Sequence, residues 1–472
     1  MKIISLCKKH THVVSGILIT LVLSLAYNWF ANLDPSIYDA WMRLRGGREP
    51  GPEIVIVGVD DPSIQALGKK WPWSRKVFAE LLRKVLIQGP RAVVLDFLFT
   101  EPGEPSEDRA FQEVIDLYRG KTPLVSALHL YQEVSREGKL GEDAVYSVQR
   151  KAELPIFEGL YSGFINISQD GDGMLRRTVL SRSFEGKLYH SLAFETYRLL
   201  DKSNLQNWYA RNPELNRSYL LNYCGPDRTF SRLSAISLLG QESGEPGGTL
   251  KDKIVLIGPV FKASKDFHAT PFDTYGGIIS RMAGVEIHAT VLENLMGNRF
   301  YAQASSWLTW LSFLVLGALA FFLTFYHWNA RKQLAIFFSV WALGGALSLT
   351  IFLIFRVYLP PAFPLLSSLI LFGALFITQK ITARQGLRVE MGQLGAHGIQ
   401  MLDIFCGRYE ITRREKEFLP LLARQLSNPE LAAKLFVSIN TVKTHVASIY
   451  KKTGVNSREE LAEMLSELQK PS

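Results

Sequence analysis

Six residues in the first three hundred carry the chemistry of a ligand site. Asp60 and Asp61 follow one apolar run, Asp96 sits late in a second, and Asp266, His268 and Thr270 follow a third. Carboxylates gathered at one rim can hold a cation or a basic ligand, or exchange protons. The same acids equally cap turns and helices, and the sequence leaves both roles open. A second group lies near the C-terminus. Asn440, Thr441, Lys443, Thr444, Ser448, Lys451 and Lys452 fall on the outward side of a helical repeat whose Val446, Ile449 and Tyr450 point inward. No Asp or Glu occurs from Ser438 to Gly454. Amines, amides and hydroxyls on an acid-free helix face suit phosphates and base edges of DNA. A solvated helix in an interaction domain shows the same pattern.

The first group needs strands to position it. Glu53–Val59, Arg91–Phe97, Leu124–Leu128 and Lys253–Ile257 are short Val/Ile/Leu-rich runs that predict buried strands. Between the first two, Ser74–Gln88 places Val77, Leu81, Leu82, Val85 and Leu86 on one helical face and ends at Gly89-Pro90. Strand, helix and strand in this spacing predict a parallel βαβ unit, hence an α/β domain, and ligands collect beyond the carboxyl ends of such strands. That rule gathers Asp60, Asp61 and Asp96 at one rim, with Asp266, His268 and Thr270 beside it.

This domain is bounded by hydrocarbon-length segments. Residues 13–31, 307–326, 334–355 and 361–378 contain no charged side chain and are long enough to span a bilayer. An uncleaved anchor at 13–31 is favoured over a secretory signal, because no small-x-small cleavage site follows. Lys2, Lys8 and Lys9, Arg331 and Lys332, and Lys380, Arg384 and Arg388 all fall on one side if the spans alternate. That side is the expected cytoplasm, which places both termini inside the inner membrane and 32–306 outside it. With no acid or base inside any span, an ion pathway is not expected. Cys224 is the one cysteine in the external region, so no disulfide forms within it, and Cys7, Cys224 and Cys406 lack zinc-like spacing. No metal and no cofactor is expected.

Past a cytoplasmic linker at 379–408, expected to be flexible or partly helical, the helix signals sharpen. Thr412 to Glu415 is a capping box before Phe418, Leu419, Leu422 and Ala423. Asn428-Pro429-Glu430 opens a helix carrying Leu431, Ala432 and Leu435, Ser438 caps a third that stops at Gly454, and Ser457 to Glu460 opens a fourth. Four short helices over 409–472 predict an all-α helix-turn-helix module. The net charge is +9 overall, yet 381–472 holds 13 Lys and Arg against 10 Asp and Glu, so a DNA argument rests on placement and not on bulk charge.

Two resemblances follow. Leu33-Asp34-Pro35, Asp39, Arg43-Leu44-Arg45, Gly58-Val59-Asp60-Asp61-Pro62, Trp71-Pro72-Trp73-Ser74-Arg75, Asp96-Phe97, Asp170-Gly171-Asp172-Gly173 through Arg176, Tyr223-Cys224-Gly225-Pro226 and Gly284 through Ala289 together resemble the CHASE sensor domains of the second class. That resemblance implies an extracytoplasmic module that senses an unknown ligand and is followed by three closely spaced spans. The Asp170 run looks calcium-like but lacks the further ligands of a twelve-residue loop, so a turn is expected. Trp71-Pro72-Trp73 is expected to be a packing anchor rather than a binding surface. Ile411 through Glu415, Leu422-Ala423, Leu426-Ser427-Asn428, Glu430-Leu431-Ala432 and Thr441 through His445 to Gly454-Val455 resemble the LuxR-type DNA-binding domain. By that resemblance Thr441, Val442, Lys443 and His445 belong to the recognition helix, Lys443 is the foremost contact, and the fourth helix pairs two modules. The sequence departs from the family at Gln425, where glycine is usual, at Thr453, and at Pro420 inside the first helix.

The expected protein is a multidomain, multi-pass membrane regulator that senses outside and binds DNA inside through a homodimer. Its expected partners are DNA, an external ligand and membrane lipid. The alternatives are a scaffold whose helical tail binds protein, or an external enzyme using the acidic rim. No phosphate loop, nucleophile elbow or zinc-protease motif supports the enzyme.

Overall fold

The computed structural model describes residues 11–467 apart from 69–70, 138–144, 212–216, 241–248, 275–279, 326–329, 393–394 and 436. Lys2, Cys7, Lys8, Lys9, Lys69 and Lys70 lie outside the described residues, as do the side chains of Arg384 and Arg388. The chain divides into two units: Ser36–Gln303 with Phe352–Tyr358, and Met1–Pro35 with Ala304–Ile351 and Leu359–Ser472. It opens with α1 (Thr11–Leu25), α2 (Tyr27–Ala31) and α3 (Asp34–Arg45).

The first unit is built on a seven-stranded sheet of β1 (Ile54–Val59), β2 (Ala92–Leu98), β3 (Leu124–Glu137), β4 (Val145–Glu153), β5 (Tyr161–Phe164), β6 (Ser231–Ser234) and β7 (Ile254–Pro259). The order is β6-β1-β7-β2-β3-β4, with β5 also paired to β3. All pairings are parallel except that of β4 with β3. The four expected strands are present. However, β1 and β2 are not neighbours, because β7 inserts between them and pairs Ile254 with Ile54 on one side and Ala92 on the other. Local periodicity fixes strand and helix but not which distant strand will fill the gap.

Every residue of β1 is buried because helices cover both faces. These are α4 (Asp61–Leu67), α5 (Arg75–Leu86), α6 (Pro105–Tyr118), α7 (Leu192–Leu200), α8 (Lys202–Arg211), α9 (Ala235–Leu239) and α10 (Gly284–Gly297). Val55, Val57, Val93 and Ile257 pack against Leu81, Leu82 and Val85 of α5 and Phe111 and Ile115 of α6. Ile54, Ile56, Val94 and Leu256 pack against Phe194 of α7, Val285 and Leu292 of α10, and Tyr38 and Met42 of α3. This two-sided burial is why the strands read as continuous apolar runs rather than alternating ones. Trp71 and Trp73 pack edge to face at 5.8 Å within an aromatic group that includes Phe78 and Phe97, as an anchor should.

Buried charges fasten the loops. Arg176, 2% exposed, is gripped by Asp39 at 2.7 Å, Asp170 at 2.9 Å and Asp172 at 2.7 Å. The calcium-like run is therefore a turn, closed by Gly173 N–H to the Asp170 carbonyl, and its carboxylates serve an arginine. Glu293 on α10 is bridged by Arg48 and Arg299, and Asn294 exchanges hydrogen bonds with the Asn222 backbone. Removing one partner of such a buried set costs on the order of 3–5 kcal/mol, because the other charge is left without compensation.

The second unit contains α11 (Ser306–Phe325), α12 (Ala330–Phe355) as far as Ile351, and α13 (Ala362–Gly392); α11, α12 and the Ala362–Ile381 stretch of α13 are each long and apolar enough to cross a membrane. The segment containing α1 qualifies only as a bent pair, broken by 55° between Leu25 and Tyr27. Leu23 and Phe30 of that segment join Phe313, Phe363, Leu371 and Leu375 in one cluster. Tyr27 and Trp310 meet the Phe363 ring at 4.9 and 4.8 Å. The expected linker is a difference: α13 continues as helix to Gly392, and α14 (Gly395–Arg408) follows.

The C-terminal module comprises α15 (Arg413–Lys416), α16 (Leu419–Ala423), α17 (Asn428–Leu435), α18 (Ile439–Thr453) and α19 (Arg458–Glu467). The expected first helix is two helices. Pro420 splits it and then sits in the first turn of α16, where its missing N–H costs nothing. Leu402 and Phe405 of α14 enter the same core as Phe418, Leu431, Val446 and Leu461, so the folded module begins before residue 409. Thr453 is buried, its hydroxyl bonded to the Ile449 carbonyl at 2.8 Å.

Gln425 has φ +59°, the left-handed conformation that explains the family's glycine. A side chain there costs about 1–2 kcal/mol, of which glycine's greater freedom in the unfolded chain takes back about 0.4–1 kcal/mol. Gln425→Gly is therefore expected to stabilise the module by about 0.5–1 kcal/mol, read as a higher urea midpoint at unchanged slope. A lower midpoint would mean that the glutamine side chain contributes more than its backbone strain costs.

Candidate DNA-reading helix and sensor rim

The start of α18 is set by Ser438, whose hydroxyl accepts the Thr441 N–H at 3.1 Å, and its end by Gly454, in the left-handed conformation with its N–H on the Tyr450 carbonyl. Between them Val442, Val446, Ile449 and Thr453 are buried, which fixes the rotation of the helix. Asn440, Lys443, Thr444 and Lys451 are exposed, and Thr441 and His445 are half-buried. His445 packs on the Phe418 ring at 5.0 Å; burial, with Arg414 nearby, holds its imidazole below the usual histidine range. The preceding helix, α17, is capped by Ser427, whose hydroxyl and N–H both bond the Glu430 carboxylate. The Ser-x-x-Glu spacing at 427–430 is the cap signal that a helix start read from Asn428-Pro429-Glu430 passes over.

The capping box at Thr412 and Glu415 forms as expected and reaches further than its own helix. Glu415 also accepts the Ser448 hydroxyl at 2.6 Å and the Lys452 ammonium at 2.7 Å, and Lys452 donates to the Glu410 carbonyl at 2.9 Å. One carboxylate thus ties α15 to the C-terminal half of α18. Lys452 and Ser448 are spent inside the module, while Asn440, Lys443 and Thr444 remain presented by the N-terminal half.

In the sensor unit the six rim residues separate. Asp60 caps α4, accepting the Ser63 N–H at 3.0 Å and the Ser234 hydroxyl at 2.8 Å, and Asp61 lies in the first turn of that helix. Thr270 is buried and its hydroxyl accepts the Phe272 N–H at 3.4 Å. The other three come together. Asp266 bonds His268 at 2.9 Å, Gln169 reaches the other ring nitrogen of His268 at 3.3 Å, and Asp96 lies 3.9 Å from His288 on α10. Among the described residues no hydrogen bond or ion pair joins Asp60 or Asp61 to this group. His288 was missed because it lies on a helix buried on every side from Gly284 to Leu295, where a histidine reads as core. Its one cue was the Gly284–Ala289 segment.

Asp96 is buried with Oδ2 unpartnered; burial, then the nearby Asp266, pushes its carboxyl well up. Burial holds the His288 imidazole down at about 4. The cavity beside His288, bounded by Asn166, Thr178 and Ser191, measures about 20 Å³ and accommodates one water. Among the described residues no three His, Cys, Asp or Glu are arranged to hold a metal ion.

An α/β sensor module joined to apolar spans and a helix-turn-helix module defines a signal-sensing regulator. The chain belongs to the CHASE2 domain family, whose model matches residues 14–326. Residues 410–465 match the model of bacterial regulatory proteins of the luxR family. The oxygen regulatory protein NreC of Staphylococcus aureus strains JH9, JH1 and Mu3 is 47% identical over 53 residues, covering 11% of this chain and 24% of each relative. The chain thus spans about a quarter of the length of the curated relatives it matches. No solved structure matches it.

The Glu415 tie has a pH signature. Burial alone would raise this carboxyl, but the bonds from Lys452, Ser448 and Thr412 outweigh it and hold it at about 2, below the ordinary 4.5. A depressed acid contributes stability above its unfolded pKa and loses it as pH falls toward its folded one. The module is expected to lose stability between about pH 4.5 and 2, and Glu415→Gln to be less stable at pH 7 and to fall less steeply through that window. Thermal melts of both proteins across pH 2–7 decide it; a parallel slope in the variant would assign the loss to another group.

Proposed function

We propose that this chain is a membrane-bound, one-component transcription regulator, with its sensor outside the inner membrane and its DNA-binding module in the cytoplasm. The observation that carries the reading is that an acid-free helix with Asn440, Lys443 and Thr444 exposed shares one polypeptide with a CHASE2 sensor and membrane-length helices. The packing of α1 and α2 on α11 and α13 supports counting the N-terminal segment as a fourth span. Arg331, Lys332 and Lys380 lie at the ends assigned to the cytoplasm, and exposed Trp29 and Trp307 lie at the opposite ends, where interfacial tryptophans belong.

In this reading Asn440, Thr441, Lys443, Thr444, His445 and Lys451 meet DNA, Val442 sets the helix in its core, and Lys452 positions it through Glu415. Two modules pair through α19 on an inverted repeat. The sensor ligand acts at or near the Asp96, Asp266, His268 and His288 group, with Asp60, Asp61 and Thr270 shaping the strand ends and loops around it.

Full-length protein in nanodiscs, titrated with promoter DNA from beside its own gene, tests the proposal. Lys443→Ala is expected to weaken specific binding by about 1–3 kcal/mol and to relax sequence preference. Equal affinity for every sequence, unchanged in the variant, would favour a protein-binding tail. A C-terminal reporter fusion active only outside the cytoplasm would remove the mechanism altogether.

A further inference from the structure

The first turn of α13 is closed from far away in sequence. Pro360 and Pro361 precede it and bring no side-chain acceptor, and the Ala362 N–H is instead taken by the Asp34 carboxylate at 3.0 Å, across 328 positions. Asp34 is 7% exposed, and a buried carboxylate on a helix N-terminus satisfies an otherwise orphan donor and complements the helix dipole.

Asp34 is also the first residue of α3, and the rest of α3 is held by the sensor. Tyr38 donates its hydroxyl to the Leu221 carbonyl at 2.6 Å, Asp39 receives Arg176 at 2.7 Å, and Arg43 donates to the Pro271 carbonyl at 3.0 Å. Arg45 bonds Asn222 and the Tyr223 carbonyl. The division between the two units falls inside this helix, after Pro35. A helix of 12 residues, about 18 Å long, does not stretch, so a displacement of its sensor-held part must move the carboxylate at its start. The helix that carboxylate caps runs unbroken for 31 residues toward the DNA-binding module.

We propose that α3 is the coupling rod of this receptor and that the Asp34 cap on α13 is where sensor movement enters the membrane helix that leads to the DNA-binding module. The inference rests on the proposed function for its output, but its physical core, the link between the Asp39 clasp and the first turn of α13, does not. Asp34 and Asp39 act as positioning residues.

A double-mutant cycle tests it without the unknown ligand. Full-length protein in nanodiscs is compared as wild type, Asp39→Asn, Asp34→Ala and the double variant, by amide hydrogen exchange over residues 362–368 and by titration with promoter DNA. Asp39→Asn is expected to speed exchange in the first turn of α13 and shift DNA affinity by about 5-fold or more, in the range of ordinary coupling free energies. It should add nothing once Asp34 is alanine. Exchange protection of β1 and β7 in the same data reports sensor integrity. If Asp39→Asn melts the sensor, Tyr38→Phe, which removes only the hydroxyl to Leu221, is expected to act in the same direction with smaller size. Wild-type exchange at 362–368 in a folded Asp39 or Tyr38 variant, or effects of positions 39 and 34 that simply add, would overturn the coupling. Absence of DNA binding by the wild type would instead overturn the functional reading and leave the exchange comparison to decide the coupling.

Discussion

Hydrocarbon offers no partner to a backbone N–H or carbonyl, so every irregular end of an apolar helix must be closed by protein. Several polar side chains of the bundle bond backbone groups of a neighbouring segment. Gln333 donates to the Leu323 carbonyl and Gln379 to the Thr324 carbonyl, both at 2.8 Å. Ser348 and Trp341 donate to the carbonyls of Leu359 and Leu365, and Asp34 takes the Ala362 N–H. These bonds fix where the helix ends meet, and breaking one would leave a backbone group without its partner.

The sensor meets the same demand with charges. Arg176, Glu286 and Glu293 are buried, and each faces opposite charges or several backbone donors; Glu286 accepts the N–H groups of Arg228 and Thr229 as well as Arg232. Such sets define geometry more than they add stability. The Asp96 and His288 pair differs in kind: neither is matched by a full charge, and burial pushes their pKa values toward the neutral form of each. His288 also borders a cavity of about 20 Å³, room for one water, on the side of Asn166 and Ser191.

What was legible in the sequence follows from which forces are local. β1, β2 and β7 were visible because burial on both faces leaves an unbroken aliphatic signature, and α5 because its apolar face repeats with helical period. The insertion of β7 between β1 and β2 was not, since parallel neighbours are chosen by long-range packing. Asp60 illustrates the ambiguity of acids at strand ends, because capping and ligand binding use the same residue type and only the position of Ser63 and Ser234 separates them. Pro420 was visible as a fault, but its resolution into two short helices depended on core contacts around Phe418 and Leu422. The helical continuation of α13 past residue 378 escaped because its glycines read as linker while Leu402 and Phe405 had no local partner to announce a core.

The DNA-reading face is defined as much by subtraction as by charge. Glu415 withdraws Ser448 and Lys452 from the C-terminal half of α18, leaving Lys451 exposed there and Asn440, Lys443 and Thr444 exposed in the N-terminal half, where the helix dipole adds positive potential. Base edges in a major groove are reached by that half of a recognition helix. Lys443 and Lys451 are the exposed lysines of α18, and the salt dependence of nucleic-acid binding grows with the number of phosphates engaged. Pairing doubles that number without new chemistry. Modules held near one another gain the same advantage through effective concentration, so a modest change in their spacing has leverage on occupancy.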